Sequence, residues 1–387
     1  MNQAARTYLD YAATTPVADQ VLETMLPYFS QVFGNPSSVH FYGQQAEAAL
    51  EEARHTVAEL LHARAEEIVF TACGTESDNL ALRGVAFAQR KSKQRAHILV
   101  TPVEHHAVLH TAHQLAELHQ FEVEELAVDE YGQVDPDEVR SSIRSDTALV
   151  SVIYANNEIG TINPIAEIGA ICRERGVPFH SDAVQAAAHL KMDVDADRLD
   201  LLAIGAHKFY GPKGVGALYV RHGTPITPTL TGGKQEHNLR AGTQNLPYIV
   251  GLAEALRLAQ TSVADRAQQL IPLRDHLIGQ VLEEIPRARL TGHPSKRLPN
   301  HASFVFEGVD GNMLLMMLDS EGFACSSGSA CKTGNPQPSE VLTAIGMSRS
   351  WALGSLRVTL GQATTPDDVA AFLKVLPAVV ERVRKLA

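Results

Sequence analysis

The sequence predicts an α/β protein: a mostly parallel sheet in a large domain, joined to a smaller α+β domain. Three observations carry this. From about residue 65, short apolar runs alternate with polar loops and amphipathic helical stretches. The apolar runs show no in–out alternation, as strands covered on both faces require. Near residue 248 the rhythm changes to long helical patterns with isolated strand-like runs.

In order, EEIVF precedes TACGTESD and a helix from about Asn79, and HILV precedes TPVEHH and a helix through Leu118. ALVSVIYA leads into NNEIGTINP, VPFH into SDAVQ, and DLLAIG into AHKFYGPKG, with GALYV directly after. LPYIVGLAEALRLAQ then opens a helical stretch to about Glu284, followed by ASFVF, a helix through GNMLLMMLDS, and LRVTL. Thr365 and Pro366 supply N-cap and N1 residues for a last helix. The expected large domain is 15–250. The expected small domain is 1–14 with 251–387, carrying a mobile cysteine loop at about 323–336.

At 387 residues the chain can hold two domains, and 45% hydrophobic with 20% charged residues is ordinary for a globular protein. A formal net charge of −11 argues against nucleic-acid or anionic-membrane partners, which need clustered cations. MNQAARTYLD lacks the apolar stretch of a signal peptide, and no uncharged apolar run approaches the ~18 residues of a membrane span. Cys73, Cys172, Cys325 and Cys331 are too few for a disulfide framework, so a reducing cytoplasmic setting is expected.

Parallel sheets bind ligands at the carboxyl ends of their strands. Those ends carry Thr75, His105, Asn156, Asp182, His207 and Lys208, which suggests one shared site. Gly74 and Thr75 lie between a strand and a helix N-terminus, where N–H groups attract phosphate; a plain βα turn would look the same. GVGALY and TGGK lack the glycines of dinucleotide and P-loop motifs. Lys208 follows an apolar strand, where desolvation lowers an amine's pKa as a Schiff-base lysine requires, although snorkelling lysines are commoner at strand ends. Asp182 ends the preceding predicted strand, and a buried carboxylate beside such a lysine is what a pyridoxal ring needs.

EHHAVLHTAH places His106, His110 and His113 at helical spacing, the best metal candidate in the chain, yet its segment offers no suitable carboxylate or cysteine. No metal is expected to be required. Arg357, in SLRVTLG, reads equally as an ion-pair residue or a fork for a substrate carboxylate. CSSGSACKTG admits a disulfide, half a metal site, or a loop carrying a nucleophile.

Together, YLDYAATTP, GNPSSVH, GTESDN, VEHHAV, ANNEIGTINPI, HSDAVQA, HKFYGPKGVGALY, LRAGTQN, SSGSAC and LRVTLG resemble the pyridoxal-phosphate-dependent cysteine desulfurases of the NifS/IscS type. They run in family order from residue 8 to residue 361. The resemblance implies the fold of the aspartate aminotransferase-like transferases and pyridoxal 5′-phosphate as cofactor. It makes Lys208 the Schiff-base lysine, Asp182 the partner of the pyridine nitrogen, Gln185 the donor to the phenolic oxygen, and His105 the stacked, proton-moving imidazole. Gly74, Thr75 and His207 would hold the phosphate, with Thr243 reaching across from a second subunit of a homodimer. Asn156 would lie beside cofactor and substrate, and Arg357 would clamp the carboxylate of L-cysteine. Cys331 would take the sulfur as a persulfide, releasing alanine, and pass it to an acceptor such as an iron–sulfur scaffold. It is also a possible transient cluster ligand. Cys325 reads as a packing residue.

Gly205 stands where relatives often place a phosphate-binding serine, Cys73 where glycine is common, and Ser77-Asp78 where Ala-Asn is usual. The ending KLA leads to the expectation of no extended tail of the kind that docks a scaffold protein in some relatives. A selenocysteine lyase or an aminotransferase on the same scaffold, or a metal- or cluster-binding redox protein, are the alternatives. SSGSAC argues against an aminotransferase, and the redox reading leaves Lys208 and Asp182 without a purpose.

Overall fold

The structure is a computed structural model that describes residues 6–328 and 337–386. The chain opens with β1 (Thr7–Tyr8), α1 (Asp19–Met25), α2 (Pro27–Ser30) and α3 (Phe41–Leu61). Next come β2 (Ile68–Thr71), α4 (Gly74–Lys93), β3 (His97–Val100), α5 (His106–His119), β4 (Glu122–Glu125), α6 (Pro136–Ser142) and β5 (Thr147–Ser151). They are followed by α7 (Ile165–Arg175), β6 (Phe179–Asp182), α8 (Ala186–His189), β7 (Leu201–Gly205) and β8 (Gly216–Val220). The last third holds α9 (Leu246–Thr261), α10 (Val263–Glu284), β9 (Ala288–Leu290), β10 (His301–Phe306), α11 (Gly311–Ser320) and β11 (Phe323–Ala324). It ends with α12 (Glu340–Ala344), α13 (Arg349–Ala352), β12 (Ser355–Thr359) and α14 (Pro366–Arg384).

Among the described residues, β2 to β8 form a seven-stranded sheet in the order β2-β8-β7-β6-β5-β3-β4. Neighbours from β7 through β4 are parallel, while β8 runs antiparallel to both β7 and β2. The absence of polar alternation in the sequence now has its cause. Phe70, Leu202, Ile204, Ala217 and Tyr219 pack on one face with α3, α7 and α9. Val69, Leu201, Ala203, Leu218 and Val220 pack on the other with α4 and α5. Successive side chains point to opposite faces, and both faces are covered, so these strands carry apolar residues on both sides.

A second core joins Leu9 to residues between Leu270 and Val383, around the antiparallel β12-β10-β9 sheet. The N-terminal strand β1 belongs here too, paired in parallel with β11. A smaller cluster, with Val103, Ile153 and Ile159 against Val305, Val341 and Ile345, joins the two units. The boundary expected at 250/251 falls inside a continuous helix. Leu252, Ala255, Leu256 and Ala259 of α9 remain in the large-sheet core, and the break comes at Ser262. The helix expected from Asn79 starts at Gly74, five residues earlier, which puts its N-terminus at the end of β2. Thr365 caps α14 with Asp368 in a capping box, and Pro366 follows at N1.

Candidate active site

The carboxyl ends of β2, β3, β5, β6 and β7 surround a cavity of about 240 Å³. Gly74, Thr75, His105, Asp182, Gln185, His207, Lys208 and Arg357, eight of the residues singled out in the sequence, line it. They come from five chain segments. Only strand order and crossover helices bring them together.

One end of the cavity is an anion cradle. The 20-residue helix α4 opens on it with Gly74 and Thr75, and its N-cap residue Cys73 makes no side-chain capping hydrogen bond. The first N–H groups of such a helix carry partial positive charge into the space. A Cβ on Gly74 would stand 2.5 Å from Val184 Cγ2, so no larger residue fits without movement. His207 lies beside it, with Nδ1 3.2 Å from Thr14 Oγ1. Burial brings its imidazole down to about 4, so the ring is neutral at physiological pH. At Gly205 a Cβ would meet Gly74 N at 3.5 Å and Val184 at 3.7 Å, ordinary contact distances, and its φ of −138° suits any residue. Gly205→Ser should therefore fold normally and add a donor to the cradle. Cofactor release, followed by dialysis and absorbance, should slow about tenfold, the value of one hydrogen bond to a charged group; unchanged release would show that the position faces elsewhere.

Carboxylates also line the cavity. Asp182 is buried and accepts the Val184 N–H at 2.8 Å. Burial raises its pKa, opposed by His105, the Val184 N–H and Lys208. Asp78, a residue given no role from sequence, lies with His105 and Asp182, one polar atom of each within 4.8 Å of the others. Its Oδ1 is buried without a hydrogen-bond partner, and burial together with Asp182 pushes its carboxyl well up. That environment favours the protonated form of the carboxyl. His105 is the N-cap of α5, where Nδ1 accepts the Ala107 N–H at 3.1 Å. The neutral ring then carries its proton on Nε2. Desolvation lowers its pKa, with Asp182 opposing and Lys208 reinforcing.

Lys208 lines the same cavity. Its Nζ donates to the carbonyls of Ala12 at 2.7 Å and Ala13 at 2.8 Å, and Gln185 Nε2 shares the Ala12 oxygen at 2.8 Å. Desolvation and the Arg357 charge bring the amine down to about 8, against Asp182 and Asp10.

Arg357, on β12, closes the cavity from the small unit. Nη2 donates to Asp10 Oδ1 at 2.8 Å and Nη1 to the Asn157 carbonyl at 3.0 Å, while Nε is buried without a partner. Ser326 donates to the other oxygen of Asp10 at 2.7 Å and accepts the Arg357 backbone N–H at 2.7 Å. Asp10, unnoticed in the sequence, thus holds both the arginine and the stem of the cysteine-containing segment.

Three site residues stand apart. Asn156 is fully buried, its amide spent on the Val103 carbonyl (2.8 Å) and on the N–H groups of Glu158 and Ile159 (2.8 and 2.9 Å). It builds the turn, and its neighbour Asn157 lines the cavity instead. Thr243 is exposed and does not line the cavity of its own chain. Its loop is tied back by Arg240 to Glu76 at 2.8 Å. Cys331 and most of its loop lie outside the described residues. Cys325 is a free thiol packed against the small core, and its pKa is pushed strongly up by burial and Asp10, with Arg357 opposing.

These residues fit pyridoxal 5′-phosphate by their own chemistry. The helix N-terminus suits a phosphate, the buried Asp182 a protonated ring nitrogen, Gln185 a phenolic oxygen, and a low-pKa lysine a carbonyl carbon.

Residues 7–372 match the model of the class-V aminotransferases. The cysteine desulfurase IscS of Methanosarcina thermophila is 48% identical over 380 residues, covering 98% of this chain and 93% of the relative. The cysteine desulfurase IscS of Dictyoglomus turgidum is 47% identical, with 98% and 96% covered. Among solved structures, a NifS-like protein superposes with a TM-score of 0.90 at 36% identity, covering 97% of this chain and all of the other. A structure of SspA in complex with cysteine gives 0.79 at 36% identity, with 91% and 98% covered. With its motifs at the strand ends and its length matched throughout, the chain belongs to the class-V aminotransferase family, among the IscS/NifS-type cysteine desulfurases.

Proposed function

We propose that this pyridoxal-phosphate-dependent cysteine desulfurase divides the reaction among the residues around its cavity as follows. The observation that carries the assignment is one cavity flanked by a low-pKa lysine, a buried aspartate, a helix N-terminus and a buried arginine fork. Bound pyridoxal 5′-phosphate supplies an electron sink for the Cα carbanion of the substrate. Gly74, Thr75 and His207 would hold its phosphate, Gln185 its phenolic oxygen, and Asp182 the proton on its ring nitrogen. Arg357 binds the carboxylate of L-cysteine through the donors that Asp10 and Asn157 leave free. Lys208, as the neutral amine, takes the Cα proton, and His105 moves a proton at Nε2. Cys331, as thiolate, forms an S–S bond to the substrate sulfur while the substrate C–S bond breaks. The bond's electrons return to carbon, which is protonated and leaves as alanine. Alanine and persulfide should form in equal amounts in a single turnover; sulfide without alanine would overturn the scheme.

We also propose a homodimer. Leu22, Leu26, Phe29, Phe33, Val39, Phe41 and Tyr42 are all exposed within one segment, and the Phe33 and Tyr42 rings lie 5.5 Å apart. A second copy covering this apolar surface would also give the exposed Thr243 a phosphate to bind. The sulfur acceptor is an iron–sulfur scaffold or a related carrier protein, and the setting is the cytoplasm. No helix among the described residues is long and apolar enough to cross a membrane, and Cys73, Cys172 and Cys325 are free.

Asp10→Asn tests the clamp. Without the carboxylate, Arg357 loses its charged anchor, and KM for L-cysteine should rise about tenfold with cofactor content unchanged. An unaltered KM would mean that Asp10 serves only the fold.

A further inference from the structure

The histidines of EHHAVLHTAH take no part in the site except for His105. His106 and His110 lie one turn apart at the start of α5, with rings stacked at 4.4 Å between centroids and 8° between planes. Within its own segment the sequence offers these imidazoles no suitable carboxylate. The fold supplies one from 230 residues away. Glu340, the first residue of α12, places Oε2 3.5 Å from His106 Nε2. One ligand atom of each of the three side chains lies within 4.8 Å of the other two.

That spacing is meaningful for coordination. Two ligands about 2.1 Å from a tetrahedral ion stand about 3.4 Å apart, which is already the separation of His106 from Glu340. Both backbones are fixed nearby. His105 caps α5, while Ser339 caps α12 by accepting the Leu342 N–H at 3.2 Å and donates to the half-buried Glu158. All three ligands are exposed, so a side-chain rotation of His110 meets no packing, and water can fill the remaining positions. Imidazole nitrogens favour first-row transition ions over calcium or magnesium, which take oxygen ligands.

We propose that His106, His110 and Glu340 form a site for a divalent transition-metal ion, two imidazoles and one carboxylate, that ties α5 of the large unit to α12. The site is separate from the catalytic cavity, although the His105 and His106 rings are only 6.3 Å apart, so the charge of the ion reaches the cavity wall.

Cobalt(II) tests this when titrated into the holoenzyme without L-cysteine, whose thiol would compete. The wild type should bind one equivalent, showing ligand-field bands without a sulfur-to-metal charge-transfer band, and its melting temperature should rise. His110→Ala and Glu340→Gln should each weaken binding at least about tenfold and abolish the thermal shift. Both positions are exposed, and both variants should keep metal-free desulfurase activity, which separates loss of the site from loss of fold. Affinity equal in wild type and both variants, a thiolate band, or no saturable binding would overturn the proposal.

Discussion

Replacing Lys208 by alanine should reduce alanine release from L-cysteine by more than about 10³-fold, since both the covalent tether and the Cα base are lost. Borohydride should no longer fix the cofactor to the chain, although the cradle at Gly74 and Thr75 remains. The wild type offers a graded test of the same group. An amine is a base and a nucleophile only when unprotonated, and burial beside Arg357 holds Lys208 at about 8. Roughly a tenth of it is then neutral at pH 7 and roughly nine tenths at pH 9. Borohydride-trappable loading of apoprotein with pyridoxal 5′-phosphate should therefore accelerate through about pH 8 and level off above pH 9. A midpoint near that of an ordinary lysine would show that burial and the Arg357 charge do not depress the amine.

Much of the site was legible because strand ends are where parallel sheets present their ligand-binding residues. Lys208, Asp182, His105 and Gly74-Thr75 each follow a run of apolar residues covered on both faces, and the run announces its own end. Legibility failed where a residue's role depends on chain far away in sequence. Asp10 holds Arg357 across 347 positions, and the carbonyls that anchor Lys208 lie 196 and 195 positions from it. Backbone acceptors leave no mark in a sequence. The Asn156–Asn157 pair is a different case, since Asn157 rather than Asn156 lines the cavity. Two identical residues gave no basis for choosing between them, and the turn spends the first amide on its own N–H groups. Glu340 became visible as a partner of His106 only once the fold brought the first residue of α12 within reach of α5. The α9 helix misled the domain boundary because its apolar pattern continues smoothly past residue 250.

Cys331→Ala should keep the yellow cofactor and bind L-cysteine, yet release alanine more than about 10³-fold more slowly, because no group remains to accept the sulfur. The other thiols are poor substitutes for stated reasons. Cys172 is fully buried and its thiol is pushed strongly up by desolvation. Cys325, six positions before Cys331, is likewise held protonated by burial and by Asp10, and a protonated thiol is neither nucleophile nor leaving group. Cys73 lines the cavity beside Gly74, as the N-cap residue of α4, where the proposed scheme places the cofactor phosphate rather than the substrate sulfur. Cys325→Ala should consequently retain turnover within about threefold, the loss expected when only a packing contact is shortened. If Cys331→Ala and the wild type released alanine at equal rates, the sulfur would have to leave through one of these three. The pKa of Cys325 would then be the first quantity to measure, since Arg357 already opposes the burial that silences it.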